Sequence, residues 1–65
     1  MKITVNGTPT DVQGTNLAEI LIELGHADGK LATAVNEEFV PAAARETLSL
    51  APGDRVEIVA PRQGG

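Results

Sequence analysis

Apolar and polar residues alternate over Met1-Lys2-Ile3-Thr4-Val5, the two-residue period of a half-buried strand. Asn6-Gly7 follows. Asn-Gly between strand-like runs predicts a hairpin, because a type I′ turn needs positive φ at both central positions. Residues 8–12 read as the returning strand. Pro9 has no N–H to give to a ladder, which assigns that strand to a sheet edge. The period then changes. Leu17, Ile20, Leu21 and Leu24 fall at i, i+3, i+4 and i+7, one stripe of a helix. Asn16 precedes the stripe as an N-cap, and Glu19 is placed to reach back as in a capping box. Gly25 suits the C′ position.

After a loop at 27–30, residues 31–36 return to strand character. Leu31, Thr33 and Val35 share one face, and Ala32, Ala34 and Asn36 the other. Glu37-Glu38 reads as a turn before Phe39-Val40. Pro41 interrupts, and Ala42-Ala43-Ala44-Arg45 suits a helical turn. Leu48 and Leu50 bracket a short extended piece, and Pro52-Gly53 fits the centre of a type II turn. The last strand is Arg55-Val56-Glu57-Ile58-Val59-Ala60, with Val56, Ile58 and Ala60 inward and Arg55, Glu57 and Val59 outward. The expected core is Ile3, Val5, Val12, Leu17, Ile20, Leu21, Leu24, Leu31, Val35, Phe39, Val40, Leu48, Leu50, Val56 and Ile58.

This order predicts an α+β fold: a mixed sheet of four to five strands with one main helix packed on one face. With the first and last strands parallel, the arrangement is the β-grasp (ubiquitin-like). A chain of 65 residues is one domain and buries only roughly 60% of the surface its unfolded form exposes. That leaves no room for a deep catalytic cavity. Residues 1–60 form the expected domain, and 61–65 a flexible C-terminal tail, Pro61-Arg62-Gln63-Gly64-Gly65.

Composition removes several functions. The net charge of −4 and a single Phe, with no Trp or Tyr, argue against nucleic-acid binding. No Cys is present to form a disulfide or a thiolate metal site. No apolar run reaches the ~20 residues of a membrane span, and no signal-peptide pattern opens the chain, so a cytoplasmic protein is expected. His26 has no evident Cys or Ser partner and reads as a surface residue near the last helix carbonyls. Glu37-Glu38 is the one adjacent acidic pair and reads as solvated. No metal site and no bound cofactor are expected. The chemistry left is at Gly65. Its carboxylate is ionised at neutral pH, and Gly64 and Gln63 give it narrow access to another protein's active site. Such a carboxylate can attack the α-phosphate of ATP when a partner enzyme supplies the metal and the positioning.

The whole chain resembles the ThiS family, small sulfur carriers of thiamine thiazole biosynthesis related to ubiquitin. The resemblance lies in the opening hairpin over 1–12, Asn16-Leu17-Ala18-Glu19-Ile20-Leu21, Ala34-Val35-Asn36 and Phe39-Val40-Pro41. Most specific is Pro52-Gly53-Asp54-Arg55-Val56-Glu57-Ile58-Val59 running into Gln63-Gly64-Gly65. Ala42 and Arg45 depart from the family's pattern, which often has a basic residue and an aromatic there. The resemblance implies that an E1-like adenylating enzyme activates Gly65 with ATP. A cysteine desulfurase or other persulfide donor then converts it to a thiocarboxylate, and thiazole synthase takes the sulfur. The chain would be a carrier, not an enzyme. Carriage for molybdopterin or another sulfur metabolite, a ubiquitin-like modifier, and a plain interaction module are the alternatives. The outward strand positions suggest a docking surface for the activating enzyme. Val59, Ala34 and Thr4 would form its shallow centre, and Arg55, Lys2 and Glu57 its charged rim.

Overall fold

A computed structural model of the protein describes residues 1–26 and 30–60. Strand β1 (Lys2–Val5) turns at Asn6 and Gly7, whose φ values of 49° and 84° are those of a type I′ hairpin, into β2 (Thr8–Asp11). Helix α1 (Leu17–Glu23) follows. Strands β3 (Ala32–Val35) and β4 (Glu38–Val40) form a second hairpin, and a 3₁₀ helix (Ala42–Thr47) leads to β5 (Arg55–Val59). Among the described residues the five strands lie in the order β2-β1-β5-β3-β4. β5 is parallel to β1 and antiparallel to β3. The α+β, β-grasp architecture is therefore as expected, with β2 and its Pro9 at an edge.

The helix forms where its caps dictate. The Asn16 side chain accepts from the Glu19 N–H at 2.8 Å. At the other end the His26 N–H donates to the Leu21 carbonyl and the Gly25 N–H to the Ile22 carbonyl. With Gly25 at φ 91°, this is a Schellman ending. His26 thus meets a helix carbonyl through its backbone. Leu17, Ile20 and Leu21 are buried against Ile3, Val12, Val35, Val40, Leu50, Val56 and Ile58. Val5, Leu24, Leu31 and Leu48 pack around this centre. The type II turn is closed by the Asp54 N–H donating to the Ala51 carbonyl, with Gly53 at φ 91°.

Helix carboxylates hold the loop before α1. Glu23 accepts from the N–H groups of Gln13 and Gly14. Glu19 accepts from the Thr15 N–H at 2.8 Å and from its hydroxyl. The expected capping box thus closes mainly one residue earlier, on Thr15. These bonds favour the charged form: the Thr15 N–H first, then its hydroxyl, then the Asn16 N–H hold the Glu19 carboxyl below its ordinary range. Because the folded value is depressed, the stabilisation is complete at neutral pH and lost as pH falls through the folded value. Glu19→Gln is therefore expected to lower the melting temperature at neutral pH. Its deficit relative to the parent chain should shrink as pH drops below about 4. A pH-independent deficit in thermal melts would contradict this.

Three expectations need correction. The second hairpin turns at Asn36 and Glu37, with φ of 51° and 73°, and Glu38 already belongs to β4. Phe39 is consequently on the outer face and 70% exposed, not in the core. Ala60 lies beyond β5 and is exposed. Arg45 is only 7% exposed. Its guanidinium donates to the Thr33 hydroxyl and the Leu31 carbonyl, and Thr33 donates onward to the Val40 carbonyl. Beyond these three, Arg45 thus ties the 3₁₀ helix to the entry of β3.

Candidate functional site

The register of the sheet decides what faces outward. Thr4 pairs with Arg55 and with Pro9, Ala34 with Glu57 and with Phe39, and Ala32 with Val59. Directly opposed residues share a face. All of these therefore lie on the face away from α1, whose apolar stripe is buried with Ile3, Val56 and Ile58.

The expected docking residues are all on this face, but they do not form one cluster. Val59 ends β5 and Arg55 begins it, four residues apart or about 13 Å at ~3.3 Å per residue. Val59, 64% exposed, sits beside Ala32. With Ala34 and Phe39 it makes an apolar end. The two alanines form a low floor between the exposed side chains of Val59 and Phe39. A shallow concavity opens here, lined by Ala32, Phe39, Ala42 and Val59, with Lys30 on its margin. Thr4 and Arg55 make a separate polar end. Arg55 approaches Glu37 at 3.8 Å, an exposed pair worth at most about 1 kcal/mol. The centre of the surface is thus on the β3–β4 side, and Thr4 belongs to the polar side.

Phe39 is the residue that sequence reasoning missed. A strand has period two, so placing the turn one residue late inverts the face assigned to the residues that follow. A two-residue turn at Asn36-Glu37 pairs Val35 with Glu38 and Ala34 with Phe39, and Phe39 must then share the face of Ala34. The available signal was Asn36 itself, a residue type that tolerates positive φ.

His26 lines a groove between α1 and the 3₁₀ helix together with Ile22, Ala43 and Glu46. Among the described residues, no three His, Cys, Asp or Glu side chains converge to hold a metal ion. Glu37 and Glu38 lie in the turn and at the start of β4. Gln63, Gly64 and Gly65 lie outside the described residues, as do Ala27, Asp28 and Gly29 of the loop after the helix. No helix among the described residues is long and apolar enough to cross a membrane.

The model of the ThiS family matches residues 3–65. The chain belongs to the ThiS family. Its fold is similar to the crystal structure of thiamine biosynthesis protein ThiS from Geobacter metallireducens. Identity is 30%, the TM-score is 0.79, and the match covers 100% of both chains. A solution structure of a thiamine biosynthesis protein from Geobacter metallireducens is similar at 32% identity and TM-score 0.82, over 100% of this chain and 88% of that one. Comparison with curated proteins gives no match. Membership of the ThiS family extends over the last strand and the Gln63-Gly64-Gly65 segment, since the matched span runs through residue 65.

Proposed function

We propose that this protein is a sulfur carrier for thiazole formation in thiamine biosynthesis, acting in the cytoplasm as a co-substrate and not as a catalyst. The observation that carries this reading is the family match through residue 65, joined to a fold shared with proteins of thiamine biosynthesis. Residues 1–60 serve as the recognised body, and 61–65 as the reacting tail.

The chemistry follows from a terminal glycine carboxylate. A carboxylate oxygen of Gly65 attacks the α-phosphate of ATP bound by an E1-like enzyme, and pyrophosphate leaves. The acyl-adenylate carbonyl is then attacked by a persulfide from a cysteine desulfurase or other donor, and AMP leaves. A thiol cleaves the resulting acyl disulfide and leaves a thiocarboxylate on Gly65. Thiazole synthase receives its sulfur. The partner enzyme supplies metal and alignment, since holding reactants in line removes much of the barrier. The direct test is ATP–pyrophosphate exchange with purified adenylating enzyme. Exchange that depends on this chain supports the reading, and absence of exchange contradicts it.

The apolar end of the sheet supports docking of the activating enzyme beside the start of the tail. An apolar centre with a charged rim is the ordinary anatomy of an interface. Val59→Asp is expected to fold with a stability change of about 1 kcal/mol or less, because Val59 is exposed. In a complex the new carboxylate is buried without a partner, at a cost of about 3–5 kcal/mol. The KM for adenylation should therefore rise about 100-fold or more. A normally folded Val59→Asp with unchanged KM would place docking elsewhere.

A further inference from the structure

Strand β5 is gripped at both ends by asparagines from the two hairpin turns. At its start the Asn36 side chain accepts from the Arg55 N–H at 3.0 Å and donates to Asp54. At its far end stands Asn6. The backbone of β1 gives β5 only a short parallel ladder. Thr4 N–H donates to the Asp54 carbonyl and Asn6 N–H to the Val56 carbonyl, and there β1 turns away into its hairpin. β5 continues to Val59 with no β1 backbone opposite.

The Asn6 side chain takes the place of the missing strand. Its Oδ1 accepts from the Ile58 N–H at 2.8 Å, and its Nδ2 donates to the Ile58 carbonyl at 3.1 Å. A carboxamide has the donor and acceptor of a peptide group, so it pairs with Ile58 as one more rung. Ile58 is 7% exposed, so these backbone groups sit where water does not readily replace a lost partner. The residue must also adopt φ of 49°, which Asn, Asp and Gly tolerate. Asn alone among these offers both a donor and an acceptor.

We infer that Asn6 is the positioning residue for the reactive tail: its carboxamide is the last rung between β1 and β5 and sets where the chain leaves the sheet. The inference rests on the sulfur-carrier reading. Without the Asn6 side chain, the end of β5 is held from the β3 side alone, through the Ala32–Val59 pair. Gly65 is five residues along from Ala60, a reach of at most about 18 Å. That fixed length ties the reach of the carboxylate to the position of Ala60. Displacement of its origin moves the carboxylate out of line with the α-phosphate, and small misplacements of reacting groups are costly in rate.

The test uses Asn6→Gly, which keeps a turn residue tolerant of positive φ and removes the side chain with its carboxamide. Amide exchange by NMR should show the Ile58 N–H losing protection by about tenfold or more relative to Val56. Asn6→Asp, which keeps the acceptor and loses the donor, should fall between. In adenylation with the activating enzyme and ATP, Asn6→Gly should lower kcat about tenfold or more with KM unchanged. Val12→Ala, a core truncation outside β5 that leaves the Asn6 carboxamide in place, serves as a destabilised control and should leave kcat unchanged. Ile58 protection equal to the parent, or a parental kcat in Asn6→Gly, overturns the inference. A parent chain that is not adenylated at all overturns the carrier reading, and this role with it.

Discussion

Deleting Gly65, or replacing Gly64 with valine, is expected to abolish ATP-dependent adenylation while leaving the thermal transition of the domain in place. The two halves of this expectation have separate causes. Among the described residues, every side chain of the core and its surrounding layer comes from positions 1–58, and the glycines at 64 and 65 have no side chain to add to it. The chemistry depends on a carboxylate reaching a phosphorus atom inside another protein. Glycine presents no Cβ to the walls of such a channel, and valine presents a branched one. Deletion of Gly65 moves the carboxylate back by one residue, about 3.5 Å, far more than an in-line attack tolerates. Circular dichroism melts and pyrophosphate exchange read the two halves independently. Full exchange by the Gly65-deleted chain would remove the tail from the account.

The second large effect is on stability. Ile20→Ala is expected to cost about 2–5 kcal/mol. Ile20 is fully buried on the helix stripe, between Leu17 and Leu21, in the layer that faces the sheet. At ~0.05–0.15 kcal/mol per residue, a 65-residue chain has roughly 3–10 kcal/mol in total. One truncation therefore consumes a large share of it, and no disulfide is present to offset the loss. Phe39→Ala removes a larger side chain at an exposed position and should cost about 1 kcal/mol or less. Urea unfolding of the pair separates burial from residue size. If Phe39→Ala proved the more damaging, the face assignment of β4 would be wrong.

What could be read in the sequence was local. Asn6-Gly7 dictates its own turn geometry, and the helix carries its stripe, its Asn16 cap and its Gly25 stop within ten residues. What could not be read depends on residues far along the chain. Glu37 takes positive φ without being Gly, Asn or Asp, at a strain of order 1–3 kcal/mol. The turn is held by Asn36 bonding to Asp54 and Arg55, 18 and 19 positions away. The misplaced turn then carried Phe39 to the wrong face. Arg45 shows the same limit. Its partners lie 12 and 14 positions away, and only the fold brings the Thr33 hydroxyl and the Leu31 carbonyl to its guanidinium. For the candidate site, the outward parity of β5 placed Val59 and Arg55 correctly. Their separation into an apolar and a polar end required the pairing of β5 with β3 and β1.

The central claim is that Gly65 carries sulfur. The most direct measurement is the intact mass of the chain after incubation with ATP, the activating enzyme, a cysteine desulfurase and cysteine. The account predicts a gain equal to exchange of one oxygen for one sulfur, located on the C-terminal peptide and dependent on ATP. An unchanged mass after demonstrated adenylation, or transfer of the chain onto lysines of other proteins in place of the exchange, would contradict it.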